Sequence, residues 1–144
     1  MDRALDAARQ AAQRGETPVG AIIYDPVADE VIATAGNRVR ELHDPTAHAE
    51  CLVIREACKA RANERLDGLD LYVTLEPCPM CAGIISAARI ARLYYGASDP
   101  KSGGVEQGPR VFSHSQSHHK PEIYPGICEE EAAGLLKDFF AARR

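Results

Sequence analysis

One histidine, one glutamate and two cysteines are the residues of this sequence whose types and spacing could do chemistry. His48 and Glu50 lie two residues apart in the stretch TAHAEC, and Cys78 and Cys81 enclose the dipeptide Pro-Met. Two thiolates with this spacing can bind one tetrahedral ion, and zinc is the default ion for such ligands in a reducing compartment. His48, Cys78 and Cys81 together give three ligands, the number typical of a catalytic zinc with water in its fourth position.

The two-residue spacing of His48 and Glu50 would place their side chains on different faces of a helix. Residues on one helical face are usually three or four apart. Both residues can reach one ion if it lies beyond the helix N-terminus, where the free N–H groups and the positive end of the dipole also point. Pro77 and Pro79 favour a second helix start beside Cys78. We therefore expect two helix N-termini to converge on one zinc ion, with Glu50 moving protons as general base and then general acid.

The cysteines leave other interpretations open. Cys51 follows His48 by three residues and could be the fourth ligand of a closed structural zinc site, although Glu50 would then have no role. A Cys-x-x-Cys pair also occurs in redox motifs. The simplest expectation for Cys51, Cys58 and Cys128 is burial as small hydrophobic residues.

The elements that must position these residues follow from periodicity and turn residues. We predict helices over residues 3–13, about 47–62, 80–89 and 129–144, with Asp44 or Thr46 as the cap of the second helix. Strands are predicted at residues 19–24, 31–35, 70–75 and 91–96, with a short extended piece around Ile123; residues 36–46 and 98–120 are predicted as loops. Strands separated by helices predict a three-layer α/β/α sandwich around a mixed sheet of about five strands.

The chain as a whole has the composition of an ordinary globular protein. Its 144 residues predict a single domain over residues 1–144. We expect a cytoplasmic protein with no membrane partner, because the N-terminus has no apolar export signal and the longest apolar run, CAGIISAA, is too short to cross a bilayer. The net charge of −4 gives no global attraction for nucleic acid, so such a partner needs a local basic surface. The candidates for that surface are Arg38, Arg40, Lys101, Arg110, Lys120, Arg143 and Arg144.

The motifs together resemble a known family. The order H-x-E then P-C-x-x-C, present as His48-Ala49-Glu50 and residues 77–81, is the signature of zinc nucleobase deaminases. The stretches TPVGAII, GNR, LYYGASDPKSGG and KDFFAARR make nearly the whole chain similar to the bacterial tRNA adenosine deaminases, which have a cytidine deaminase-like fold. The resemblance implies conversion of adenosine to inosine at the wobble position of a tRNA anticodon stem-loop. It also implies one zinc ion per subunit of a homodimer.

The resemblance assigns roles residue by residue. His48, Cys78 and Cys81 match the zinc ligands, and Glu50 matches the proton shuttle. Six positions match substrate-binding residues: Asn37, Ala49, Asp99, Lys101, Phe139 and Phe140. Of these, the Asn37 side chain and the Ala49 N–H match contacts to the flipped base, and the others match contacts to the anticodon. By residue type alone, Asn37 would be a turn residue and the phenylalanines would be core anchors.

Two other functions remain open at this stage. The zinc motif alone does not separate a tRNA deaminase from a deaminase of free guanine, cytosine or cytidine; the loop GASDPKSGG and the C-terminal helix favour tRNA. A zinc-stabilised interaction module without activity would leave Glu50 unexplained. The histidines 114, 118 and 119 could form a second metal site, contact RNA or belong to a solvated loop, which is the simplest interpretation.

Overall fold

The computed structural model describes residues 1–143 and is built on a five-stranded sheet with strand order β2-β1-β3-β4-β5. The strands are β1 (Gly20–Asp25), β2 (Glu30–Gly36), β3 (Asp70–Leu75), β4 (Arg92–Ala97) and β5 (Glu122–Tyr124). The helices are α1 (Asp2–Gln13), α2 (Val39–Leu42), α3 (Ala49–Arg61), α4 (Pro79–Ala87) and α5 (Glu129–Ala141), and a 3₁₀ turn covers Val111–Ser113.

The sheet is mixed, as predicted. β1 pairs antiparallel with β2 and β3, whereas β3, β4 and β5 run parallel to one another. The carboxyl ends of β3 and β4 therefore lie at the same edge of the sheet. The segment that carries Cys78 follows β3, and the loop that carries Asp99 follows β4, so the topology places these two segments side by side.

Helices cover both faces of the sheet and complete the predicted α/β/α sandwich. On one face α1 lies against β1 and β2 and α5 lies against β4. Gly20 makes the close approach of α1 possible, because a Cβ atom there would lie 2.0 Å from the Ala4 carbonyl oxygen. On the other face α3 lies against β1 and β2 beside α4, and their apolar residues form the main core with β3 and β4.

Most predicted elements are confirmed to within a few residues, and three local predictions are wrong. The loop predicted at residues 36–46 contains the single helical turn α2. Neither Asp44 nor Thr46 caps α3, whose N-cap is His48; Asp44 instead accepts hydrogen bonds from the Thr46 N–H and hydroxyl at 2.8 and 2.7 Å. Cys128, predicted to be buried, is exposed as the N-cap residue of α5.

Arg144, one of the predicted basic residues, lies outside the residues that the structure describes. Among residues 1–143, no helix has the length and the apolar character needed to cross a membrane.

Candidate active site

Two helix N-termini meet at the candidate site. His48 is the N-cap of α3 and Cys78 is the N-cap of α4, and both have the extended backbone of a cap residue, with φ −71° in each case and ψ 150° and 170°. Pro79 occupies the first turn of α4, where its missing N–H costs no helical hydrogen bond. The convergence of two helix starts, inferred from the two-residue gap between His48 and Glu50, is confirmed.

The side chains of His48, Cys78 and Cys81 form a group that could hold a metal ion. Their ligand atoms all lie within 4.8 Å of one another. His48 Nδ1 is 3.7 Å from Cys78 Sγ and 3.5 Å from Cys81 Sγ. A tetrahedral zinc ion with ordinary Zn–S and Zn–N bonds separates such atoms by about 3.5 Å. The donor set and its spacing therefore fit zinc.

Cys51 lies behind this group and not within it. Its sulfur is 3.7 Å from Cys81 Sγ and the residue is fully buried, but the group of mutually close ligand atoms contains only His48, Cys78 and Cys81 among the described residues. Burial of Cys51 as a small hydrophobic residue is confirmed. Residues 1–143 contain no second group of this kind, so His114, His118 and His119 are not arranged as a metal site.

The titrating groups of the site influence one another strongly. Hydrogen bonding from Cys81 is the largest cause that lowers the pKa of the Cys78 thiol to about 4, so Cys78 favours the thiolate that a metal needs. The hydrogen bond with Cys78 raises the pKa of His48. Burial raises the pKa of the Glu50 carboxyl to about 7. A carboxyl group that titrates near neutrality can both accept and return a proton.

The group opens into a cleft of about 580 Å³ at the carboxyl edge of the sheet. Its wall contains His48, Glu50 and Cys78 together with Asn37 and Asp99. The C-terminal helix closes one side with Phe139, Phe140 and Arg143. Lys101 lies outside this cleft, in an adjoining groove of about 710 Å³ that shares Asp99 and Phe140. The structure thus brings most of the sequence-predicted site residues to one place.

Asn37 and Ala49 contact each other directly. The Ala49 N–H donates a hydrogen bond of 2.7 Å to Asn37 Oδ1, so this N–H, which the resemblance matches to a contact with the base, is already engaged within the protein. A backbone N–H can only donate, which fixes the orientation of the Asn37 amide. The amide NH₂ group of Asn37 therefore remains as a donor on the wall of the cleft.

Comparison with known proteins agrees with this geometry. The family profile described as the cytidine and deoxycytidylate deaminase zinc-binding region matches residues 1–97. A tRNA-specific adenosine deaminase of Agrobacterium fabrum is 56% identical over 144 residues, which is 100% of this chain and 93% of the relative. The chain belongs to the cytidine and deoxycytidylate deaminase family, in the branch of the tRNA-specific adenosine deaminases.

Further members of this branch extend the comparison. The tRNA-specific adenosine deaminase of Rickettsia typhi is 44% identical over 100% of this chain and 97% of its own length. A solved structure from studies of A-to-I editing by tRNA:A34 deaminases superimposes with a TM-score of 0.92 at 57% identity, covering 94% of this chain and 97% of the other. This deaminase is therefore a zinc-dependent enzyme with the cytidine deaminase-like fold.

Two buried carboxylates at the deaminase cleft were missed by the sequence reasoning. Glu76 precedes the zinc motif directly, and its pKa is lowered because backbone N–H donors outweigh the effect of burial. Glu16 accepts hydrogen bonds from the N–H groups of Arg40 and Glu41 at 3.0 and 2.9 Å. In the sequence, Glu76 is marked only by its place before the zinc motif. Glu16 is marked only by its place after Gly15, the glycine that follows α1.

The end of α5 presents an aromatic and cationic surface to the cleft. Phe139 and Phe140 meet edge to face with ring centroids 5.3 Å apart, and the Arg143 guanidinium lies 3.4 Å from the Phe139 ring centre. Phe139 is buried, whereas Phe140 is 51% exposed. The interpretation as a core anchor therefore holds for Phe139 and is wrong for Phe140. Of the other predicted basic residues that the structure describes, only Arg40 lines this cleft, and Arg38, Arg110 and Lys120 lie elsewhere.

Proposed function

We propose that this deaminase converts adenosine to inosine at the wobble position of a tRNA anticodon. The observation that carries the proposal is a cleft that holds a buried carboxyl group, Glu50, beside the three-ligand group and an outward-facing amide donor on Asn37. Its volume of about 580 Å³ suits a nucleoside. The names of the relatives support tRNA as the substrate class.

In the proposed reaction each member of the group has one task. His48, Cys78 and Cys81 hold zinc, which supplies the Lewis acid that makes water nucleophilic near neutral pH. Glu50 accepts one proton from the attacking water and gives it to the ring nitrogen next to C6 as the C6–O bond forms. It then passes the second proton of that water to the amine, which leaves as ammonia when the C6–N bond breaks. Glu50 is buried and lines the cleft in which the base would bind.

Asn37 is proposed to orient the base. Its Oδ1 accepts the Ala49 N–H, and its NH₂ group is left as a donor for a ligand. Adenine offers ring-nitrogen acceptors such as N3 and N7 to such a donor. Ala49 therefore acts on the substrate through Asn37 in this arrangement, and a direct contact to the base requires that hydrogen bond to open.

The remaining predicted residues are proposed to bind the rest of the anticodon. Asp99 and Lys101 lie in the loop at the cleft mouth and fit contacts to ribose and phosphate. The exposed ring of Phe140 offers a stacking surface, and Phe139 supports it.

We also propose that residues 1–144 form one domain, that two copies assemble as a homodimer, and that the protein acts in the cytoplasm.

The direct test is to incubate the zinc-loaded protein with total tRNA and with a synthetic anticodon stem-loop, and to sequence both for adenosine-to-inosine change. Glu50→Ala should abolish inosine formation and keep its zinc. No inosine in any tRNA, with folded and zinc-loaded protein, would contradict the proposal. Rapid turnover of free guanine, cytosine or cytidine in a parallel assay would support a deaminase of free bases or nucleosides instead.

A further inference from the structure

We propose that Glu76 is a positioning residue that fixes the loop carrying Asp99 to the start of α4, so that the substrate side and the metal side of the cleft are held as one unit. Only the last step, that this loop contacts RNA, rests on the proposed function. The positioning itself follows from contacts within the protein.

Glu76 is a buried carboxylate surrounded by donors from a single loop. It is 2% exposed. Its Oε1 accepts hydrogen bonds from the Asp99 N–H at 3.1 Å and the Ser98 hydroxyl at 3.3 Å. Its Oε2 accepts three backbone N–H groups, from Val105 at 3.2 Å, Glu106 at 2.9 Å and Gln107 at 3.0 Å. One side chain therefore gathers both ends of the segment that spans residues 98–107.

A carboxylate is the side chain that suits this arrangement. It only accepts hydrogen bonds and has about four lone-pair sites, which matches a shell made of donors. Hydrogen bonds to a charged acceptor are roughly twice as strong as neutral ones. An amide in the same place would turn its NH₂ group toward one set of these donors.

The loop is also pressed against the helix that carries the two cysteines. Gly104 N–H donates to the Pro77 carbonyl at 2.8 Å. A Cβ atom on Gly104 would lie 2.6 Å from Pro79 N and 2.8 Å from the Cys78 carbonyl carbon. The loop thus lies directly on the first turn of α4, and Glu76 is the charged group that holds it there.

The same loop shapes the mouth of the cleft. Asp99 lines the cleft, and its Oδ1 accepts the N–H groups of Lys101 at 3.2 Å and Ser102 at 3.0 Å. Glu76 orients Asp99 through the Asp99 N–H, and Asp99 orders the next turn. Loss of the hydrogen bond from the Asp99 N–H to Glu76 should therefore displace the loop residues at the mouth of the cleft. The three metal-binding side chains should stay in place.

The test compares two buried carboxylates at opposite ends of β3, Asp70 at its start and Glu76 directly after its last residue. In Glu76→Gln the carbonyl oxygen should stay with the three N–H groups of residues 105–107, which leaves the amide facing the Asp99 N–H. Asp70→Asn is the matched control, because Asp70 is also buried and pairs with Arg92 at 2.7 Å, about 20 Å away at the other end of β3. Both zinc-loaded variants are measured by hydrogen exchange and by kinetics on the anticodon stem-loop.

For Glu76→Gln we expect the backbone amides near Asp99 to exchange about tenfold faster than in the wild type, because one charge-assisted hydrogen bond is lost. We also expect KM for the stem-loop to rise about tenfold with zinc content and kcat nearly unchanged. Asp70→Asn should show neither change. Unchanged exchange over residues 98–107, or a loss of zinc and kcat with KM unaltered, would overturn the positioning role.

If Glu76→Gln fails to fold, Gly103→Ala tests the contact between Glu76 and residues 98–107 by a change in the loop. Its Cβ would lie 2.6 Å from Glu76 Cδ, so we expect the same faster exchange and higher KM. Wild-type values for both would overturn the proposal. Exchange needs no RNA, so it decides the positioning role even if the protein deaminates no RNA and the proposed function fails.

Discussion

At the scale of single residues, the metal-binding group depends on the positions of side chains in the first turns of α3 and α4. His48 and Cys78 are both N-cap residues, whereas Cys51 and Cys81 occupy equivalent positions in the first turns of α3 and α4. Only Cys81 joins the metal-binding group; Cys51 lies 3.7 Å behind it. Spacing along the chain treats these two cysteines alike, and their positions in space separate them.

The first prediction distinguishes a three-ligand site from a four-ligand site. Cys51→Ala should keep one zinc per chain and deaminase activity within about threefold, since only a buried sulfur is removed, at a stability cost of about 1 kcal/mol. Cys78→Ala should lose zinc, because it removes a proposed ligand. Zinc content after dialysis, measured by atomic emission, checks both. A Cys51→Ala protein that loses zinc would identify Cys51 as a fourth ligand.

At the scale of elements, α1 and α5 approach the sheet closely at three glycines. Gly20 and Gly36 lie beneath α1, and Gly96 lies beneath α5, where a Cβ would come within 2.9 Å of the Ala132 side chain. Phe139 and Phe140 at the end of α5, and Gly15 and Glu16 after α1, line the cleft. The positions of both helices on the sheet therefore affect the wall of the cleft.

The second prediction tests this packing with one kind of substitution at two places. Gly20→Ala should lower the free energy of unfolding by about 3 kcal/mol, because the new Cβ meets the Ala4 carbonyl oxygen at 2.0 Å. Gly134→Ala in α5 meets no atom within 4 Å and should raise the same free energy by up to about 1 kcal/mol. Urea unfolding of both variants provides the measurement. Equal midpoints would show that α1 can shift without cost.

At the scale of the whole molecule, buried carboxylates connect the layers. Glu16, after the end of α1, accepts the N–H groups of Arg40 and Glu41 in the α2 turn. Burial acts to raise the pKa of Glu16, but the N–H groups of Arg40 and Glu41 and the charges of Arg14 and Arg40 outweigh it, so the pKa lies below the ordinary value of 4.5. Glu16 joins the layer of α1 to the turn that leads to the metal site.

The third prediction follows from the sign of this shift. A carboxyl group whose pKa is lower in the folded state contributes stability above its unfolded pKa, and this contribution is lost as the pH falls through the folded value. Glu16→Gln should therefore be less stable than the wild type by a constant amount between pH 5 and 7, with the difference shrinking below about pH 4.5. Thermal unfolding across this range measures it. A difference that persists undiminished at pH 3 would contradict the prediction.

The sequence by itself determined the order of the elements, the mixed sheet, the meeting of two helix starts and the metal-binding group. These features depend on local signals: alternation and helical periodicity, proline at a helix start, and the spacing of His48, Glu50, Cys78 and Cys81. The roles of Asn37, Asp99 and the C-terminal phenylalanines came from family resemblance, since nothing in the local pattern distinguishes them from turn or core residues.

Only the tertiary structure decided which residues meet across the chain. It separated Cys51 from Cys81, engaged the Ala49 N–H with Asn37 and exposed Phe140. It also gave Glu76 its donors from a loop more than twenty residues away. A buried carboxylate is stable only where donors converge on it, and that convergence depends on the parallel pairing of β3 and β4, which no local pattern around Glu76 encodes.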